Sequence, residues 1–134
     1  MKKNLIITSL KSEYIKNKAN YILGDWCEDI NIYKNNLIKN PGQYHWDNFK
    51  KRKSDLKNLK KINQKLLNYL RLKLNSYLGH NYSERFWKII LLPWIWMFTS
   101  YLLDRWTILL NLSKKIPDLE YKKQNFNEKS FITN

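Results

Sequence analysis

Asn4-Leu5-Ile6-Ile7-Thr8-Ser9-Leu10, followed by Asn20-Tyr21-Ile22-Leu23 and closed by Gly24, is the stretch that decides the fold. Both runs are short and largely apolar, without the polar alternation of a half-exposed strand. That is the pattern of strands covered on both faces. Between them Lys11 to Lys18 is polar around Tyr14 and Ile15, which suits a short crossover helix. Strand, short helix, strand and glycine open a parallel α/β layer. Such sheets bind ligands just beyond the carboxyl ends of their strands. Those positions are Thr8 and Ser9 after the first run, and Gly24, Asp25, Trp26 and Cys27 after the second.

Working outward, Glu28 to Tyr44 reads as loop, with Pro41-Gly42 as its turn signal. A long amphipathic helix follows, because Leu56, Leu59, Ile62, Leu66, Leu70, Leu74 and Leu78 step by three or four. Lysines fill the opposite face. Gly79 stands where a helix-ending residue belongs, and Asn81 with Glu84 matches a capping box for a second helix. So short a connection predicts an antiparallel pair, with Leu59, Ile62, Leu66 and Leu70 facing the second helix. Leu119 to Phe131 resembles the approach to a further strand, so the chain is expected to be the N-terminal portion, residues 1–134, of a larger Rossmann-like protein.

The second helix carries Ile89 to Leu103, IILLPWIWMFTSYLL, a run of 15 residues without a charge. A bilayer span needs about 20 apolar residues, and lengthening the run meets Lys88 on one side and Asp104-Arg105 on the other. A helix buried on all sides fits that length. A membrane-associated helix is the alternative, with Trp87, Trp94, Trp96 and Trp106 as interfacial anchors. Pro93 predicts a kink or break near the first turns.

The formal charge is +14, from 25 basic and 11 acidic residues. Of the basic residues 21 are lysine and four arginine, and 17 asparagines accompany them, which points to A·T-rich coding rather than to phosphate recognition. No specific nucleic-acid partner is expected. Cys27 is the only cysteine, which rules out an internal disulfide and fits a reducing, cytoplasmic setting. No metal site is expected. No glycine-rich phosphate loop, HExxH or GxSxG stands in the chain.

Candidate chemistry gathers at Tyr44-His45-Trp46-Asp47. His45 and Asp47 suit a general base or a sugar-hydroxyl anchor. The structural alternative has Asp47 capping the helix and His45 as a satisfied loop residue. Gly24, Asp25 and Trp26 offer an acid and a stacking surface to a substrate, or form a plain strand end. Arg85 suits an anionic group, or pairs with a neighbouring acid. Asp104-Arg105 reads as a buried structural ion pair.

The succession IITSL, YILGDWC, YHWD, GHNYSERFWKIILLPWIWMF and LLDRW resembles the N-terminal region of a family of transferases encoded in bacterial surface-polysaccharide and O-antigen gene clusters. The resemblance runs from Leu5 to Phe131. It falls on Thr8 and Ser9, on Gly24, Trp26 and Cys27, and on His45, Trp46 and Asp47. It continues over His80, Ser83, Arg85, Trp87, Pro93, Trp94, Asp104 and Arg105. Asp25 stands where glutamate is usual, and Asn48-Phe49 replaces a charged stretch. The resemblance implies a glycosyltransferase-B-like, two-domain architecture whose nucleotide-sugar donor binds mainly in a C-terminal domain absent from this chain, leaving the fragment inactive alone. It implies a sugar or glycolipid acceptor near Ser9, Gly24, Asp25, Trp26, His45, Asp47 and Arg85, in the cytoplasm or at the inner-membrane surface. The rival reading is a small basic protein anchored to a membrane by residues 89–103.

Overall fold

The computed structural model describes residues 3–7, 14–15, 18–27, 37–39 and 44–121. They form two compact units, residues 1–42 with 109–134, and residues 43–108.

Among the described residues the first unit holds a four-stranded sheet. Its strands are β1 (Lys3–Ile6), β2 (Asn20–Ile22), β3 (Leu37–Ile38) and β4 (Leu119–Tyr121). They lie in the order β3-β2-β1-β4, and each neighbouring pair is parallel. β1 and β2 are adjacent and parallel, as the opening of the chain predicts, with Asn4 opposite Asn20 and Ile6 opposite Ile22. Both strands are shorter than their apolar runs. The crossover and the predicted site residues Thr8 and Ser9 lie outside the described residues. β3 lies within the stretch read as loop; its pairing with β2 supplies a ladder that two residues do not announce. Leu119 does begin a strand, paired with β1.

Leu5, Ile6, Ile22, Leu23 and Cys27 are buried in this unit, as are Leu112 and Ile116. Two asparagines are buried with them. Asn4 Nδ2 donates to Asn20 Oδ1 at 2.7 Å, and Asn20 Nδ2 donates to the carbonyls of Ile15 and Lys18 at 2.9 Å each. Asn20 thereby ties the chain entering β2 to β1. This is why a polar residue tolerates a place in the sheet.

The second unit contains α1 (Phe49–Leu78) and most of α2 (Glu84–Lys115), antiparallel across a short turn. Asn48 caps α1 by accepting from Lys51 N at 3.0 Å, the role one reading gave to Asp47. Gly79, at φ 66°, ends it in the left-handed conformation that glycine adopts freely. Ser83 Oγ, rather than Asn81, meets the first turn of α2, accepting from Phe86 N at 3.3 Å. Asn75 secures the turn: its Oδ1 accepts from Trp87 Nε1 at 2.8 Å and from Tyr82 N at 3.2 Å. α2 runs unbroken through Pro93.

The helices meet through Leu67, Trp87 and Ile95, with Leu66, Leu70, Leu74, Leu91 and Leu92 packed around them. Leu59 is buried as predicted, but Ile62 is 52% exposed. The inward row is Leu59, Asn63, Leu67, and Asn63 is admitted because Thr99 Oγ1 meets its side chain at 2.8 Å. The expectation of an all-round buried α2 is corrected. Its most apolar window of 18 residues is only 17% buried within the chain. A single lysine-rich helix covers one side of it, too little to enclose a cylinder about 10 Å across.

Candidate functional site

Tyr44 to Asp47 form a tight turn, with Asp47 N donating to the Tyr44 carbonyl at 3.0 Å. The turn packs three aromatic rings in succession, Tyr44 to His45 at 4.9 Å and His45 to Trp46 at 4.9 Å between centroids. It sends them to acids on two different helices. His45 Nε2 lies 2.9 Å from Asp104 Oδ1, and Tyr44 Oη donates to the same oxygen at 2.7 Å. Arg105 Nη1 holds Asp104 Oδ2 at 2.6 Å. On the α1 side Trp46 Nε1 donates to Asp55 Oδ2 at 3.0 Å and Lys51 Nζ does so at 2.6 Å. His45 Nδ1 stands 4.0 Å from that oxygen and has no hydrogen-bond partner among the described residues. The imidazole therefore lies between two carboxylates, with its side chain only 2% exposed.

Environment shifts Asp55 and Tyr44 in opposite directions. Burial pushes Asp55 up, but the hydrogen bonds from Lys51 and Trp46, helped by the Lys51 and His45 charges, outweigh it and hold the carboxyl below its ordinary 3.8. The contact is in place above the ordinary carboxylate range and is lost as pH falls through the lowered value. Tyr44 is pushed up to about 12, first by burial of its hydroxyl end and then by the bond to Asp104 and that residue's charge. It stays a neutral donor well above neutral pH.

Asp104 also faces a pocket. An opening of about 190 Å³ is lined by Tyr44, Trp46, Met97, Ser100, Tyr101 and Asp104. His45 is not among its walls; it stands behind Asp104. A carboxylate offers about four lone-pair positions. Tyr44, His45 and Arg105 use three, which leaves one for a hydroxyl donor in the pocket. A second groove, about 500 Å³, runs between the helices past Asp55, Leu59, Ile62, Thr99, Leu102 and Trp106.

The predicted residues are distributed as follows. His45 joins the acid network, while Asp47 is exposed beside it and adds to the negative charge around Tyr44. Arg85 is exposed in the first turn of α2. At 1.5 Å per residue it stands roughly 28 Å along the helix from Asp104, so the structure does not bring it to His45. Gly24, Asp25 and Trp26 belong to the other unit, where Asp25 and Cys27 bound a 3₁₀ turn. A side chain on Gly24 would collide with the Trp26 ring, so glycine there lets the indole fold back over the strand end. Asp25 makes a surface ion pair with Lys39 at 3.7 Å, worth little in such exposure. Among the described residues no group of three or more His, Cys, Asp or Glu is placed to hold a metal ion.

Asp55 did not stand out in the sequence, whereas Asp104 pairs with Arg105 as expected. One signal for Asp55 was available: it is the only acid in α1, in a helix with ten lysines and arginines. The family model described as LIC12162 family transferase matches residues 3–134. No curated protein and no solved structure matches the chain.

Proposed function

Because the chain belongs to the LIC12162 family of transferases, we propose that its second unit seats the acceptor sugar of a glycosyl transfer in the pocket of Asp104. The observation that carries this reading is a buried, triply held carboxylate with one open lone pair, set among Tyr44, Trp46 and Tyr101. Aromatic faces suit the C–H face of a sugar ring, and a fixed carboxylate suits one of its hydroxyls. The opening has room for one such ring.

In the transfer, the acceptor hydroxyl oxygen attacks the anomeric carbon of a nucleotide-sugar donor. The bond from that carbon to the donor phosphate breaks, and the nucleotide leaves with the electron pair. Asp104 takes the hydroxyl proton, a general-base role. His45, Arg105 and Tyr44 act as positioning residues, because each touches Asp104 and holds its plane. Trp46 and Lys51 fix Asp55 behind the imidazole. The donor is expected in a glycosyltransferase-B-like second domain, and the product in cell-surface polysaccharide or O-antigen.

The test is transfer from a panel of nucleotide sugars to saccharide and glycolipid acceptors by the enzyme carrying this sequence, read by mass spectrometry. Asp104→Asn keeps the shape but removes the base, and it should lower transfer by about 10²–10⁴-fold. His45→Gln should lower it less. Equal rates for Asp104→Asn and wild type would overturn the reading.

A further inference from the structure

The outer face of α2 has no cover among the described residues. Trp94 is 67% exposed, Phe98 64% and Ile89 69%, and Tyr101, Leu102 and Trp106 are also exposed. So large an apolar surface marks an interaction site. The net charge of the hairpin indicates which kind. α1 carries ten lysines and arginines against the single acid Asp55, and Lys51 neutralises that acid at 2.6 Å. The two acids of α2 are likewise matched, Glu84 by Lys88 at 2.9 Å and Asp104 by Arg105 at 2.6 Å. The hairpin thus combines an apolar face with uncompensated positive charge, the complement of an anionic lipid surface.

The packing also decides the orientation. α2 is long and apolar enough to cross a bilayer. Yet Leu66, Leu67, Leu70 and Leu74 bind α1 along it. An upright α2 would carry the exposed Lys57, Lys60, Lys61 and Lys65 into hydrocarbon, at several kcal/mol for each charge near the centre. Lying flat removes that cost, because the charged ends of the lysines then stay out of the hydrocarbon.

We propose that the face of α2 from Ile89 to Trp106 docks in the plane of an anionic phospholipid bilayer, drawn there by the hairpin's excess of lysine. Met97 and Tyr101 are common to this face and to the Asp104 pocket, so docking brings the pocket to the membrane surface. The docking stands whether or not the pocket binds a sugar.

Vesicle co-sedimentation of the 134-residue chain tests it, comparing mixed phosphatidylglycerol–phosphatidylcholine vesicles with phosphatidylcholine alone. Partitioning should favour the anionic vesicles by more than about tenfold and weaken as salt rises. Trp94→Asp with Phe98→Asp should abolish it while helix content is unchanged, since both positions are exposed. Lys60→Glu with Lys61→Glu and Lys65→Glu, which leaves the apolar face intact, should also reduce it about tenfold or more. Absence of binding to anionic vesicles overturns the proposal, as does binding that survives both sets of substitutions. A lipid-free dimer dissolved by the Trp94 and Phe98 changes, without vesicle binding, would assign the face to a second copy instead.

Discussion

Replacing Asp104 by alanine should lower the stability of the second unit by about 3–5 kcal/mol, the cost of removing one partner from a buried charged cluster. Urea unfolding followed by tryptophan fluorescence would measure it. The loss comes from what stays behind: His45 Nε2, the Tyr44 hydroxyl and the Arg105 guanidinium all lose the same acceptor. A second readout separates this from a generic packing defect. Tyr44, pushed up to about 12 in part by Asp104, should ionise closer to its ordinary 10 in the variant. The sign is fixed, since a raised phenol pKa favours the fold below the ordinary value and is lost as pH rises through the raised one. Near pH 11 the variant's tyrosinate absorbance should therefore exceed the parent's by up to one of the nine tyrosines. Unchanged stability and an unchanged Tyr44 titration would mean that Asp104 is not the hub of the turn.

Leu67→Ala should cost about 3–5 kcal/mol, because Leu67 is 0% exposed at the centre of the hairpin core. Ile62→Ala, only five residues away on the same helix, should cost less than about 1 kcal/mol, since its side chain is already half in water. The pair tests the rotation of α1 about its own axis. Equal costs would place the inward face between the two rows rather than on Leu59, Asn63 and Leu67.

That contrast also shows what can be read from sequence and what cannot. The spacing of leucines was enough to predict α1, its end at Gly79 and its antiparallel partner, because these follow from local periodicity and a short turn. It placed Leu59, Leu66 and Leu70 correctly but also turned Ile62 inward, because the facing row passes through Asn63. A polar residue enters a core only with a partner, here Thr99, 36 residues away and invisible to periodicity. The parallel pairing of β1 and β2 was legible in the two apolar runs, whereas β3 takes its existence from its neighbour. The site divides in the same way. His45 stood out through its aromatic neighbours, but the acids on either side of it come from positions 55 and 104. Asp104 looked like half of a structural ion pair with Arg105. Its pocket becomes visible only once Tyr44 and Trp46 are folded against it. The exposure of α2 was hidden for a related reason: an uncharged run of 15 residues reads the same whether protein, lipid or water covers it.

On the proposed function, the Asp104 pocket seats a saccharide. Saturation-transfer NMR on the 134-residue chain with a panel of mono- and disaccharides addresses it most directly, because Tyr44, Trp46 and Tyr101 would pass magnetisation to a ring held against them. Tyr101→Ala is the companion variant, since that side chain is exposed at the pocket wall and touches the acid network only through the Arg105 guanidinium, 5.7 Å from its ring centre. Transfer to the C–H protons of at least one sugar is expected, lost in Tyr101→Ala and in Asp104→Asn. Transfer that persists in both variants, or none to any sugar, would contradict it.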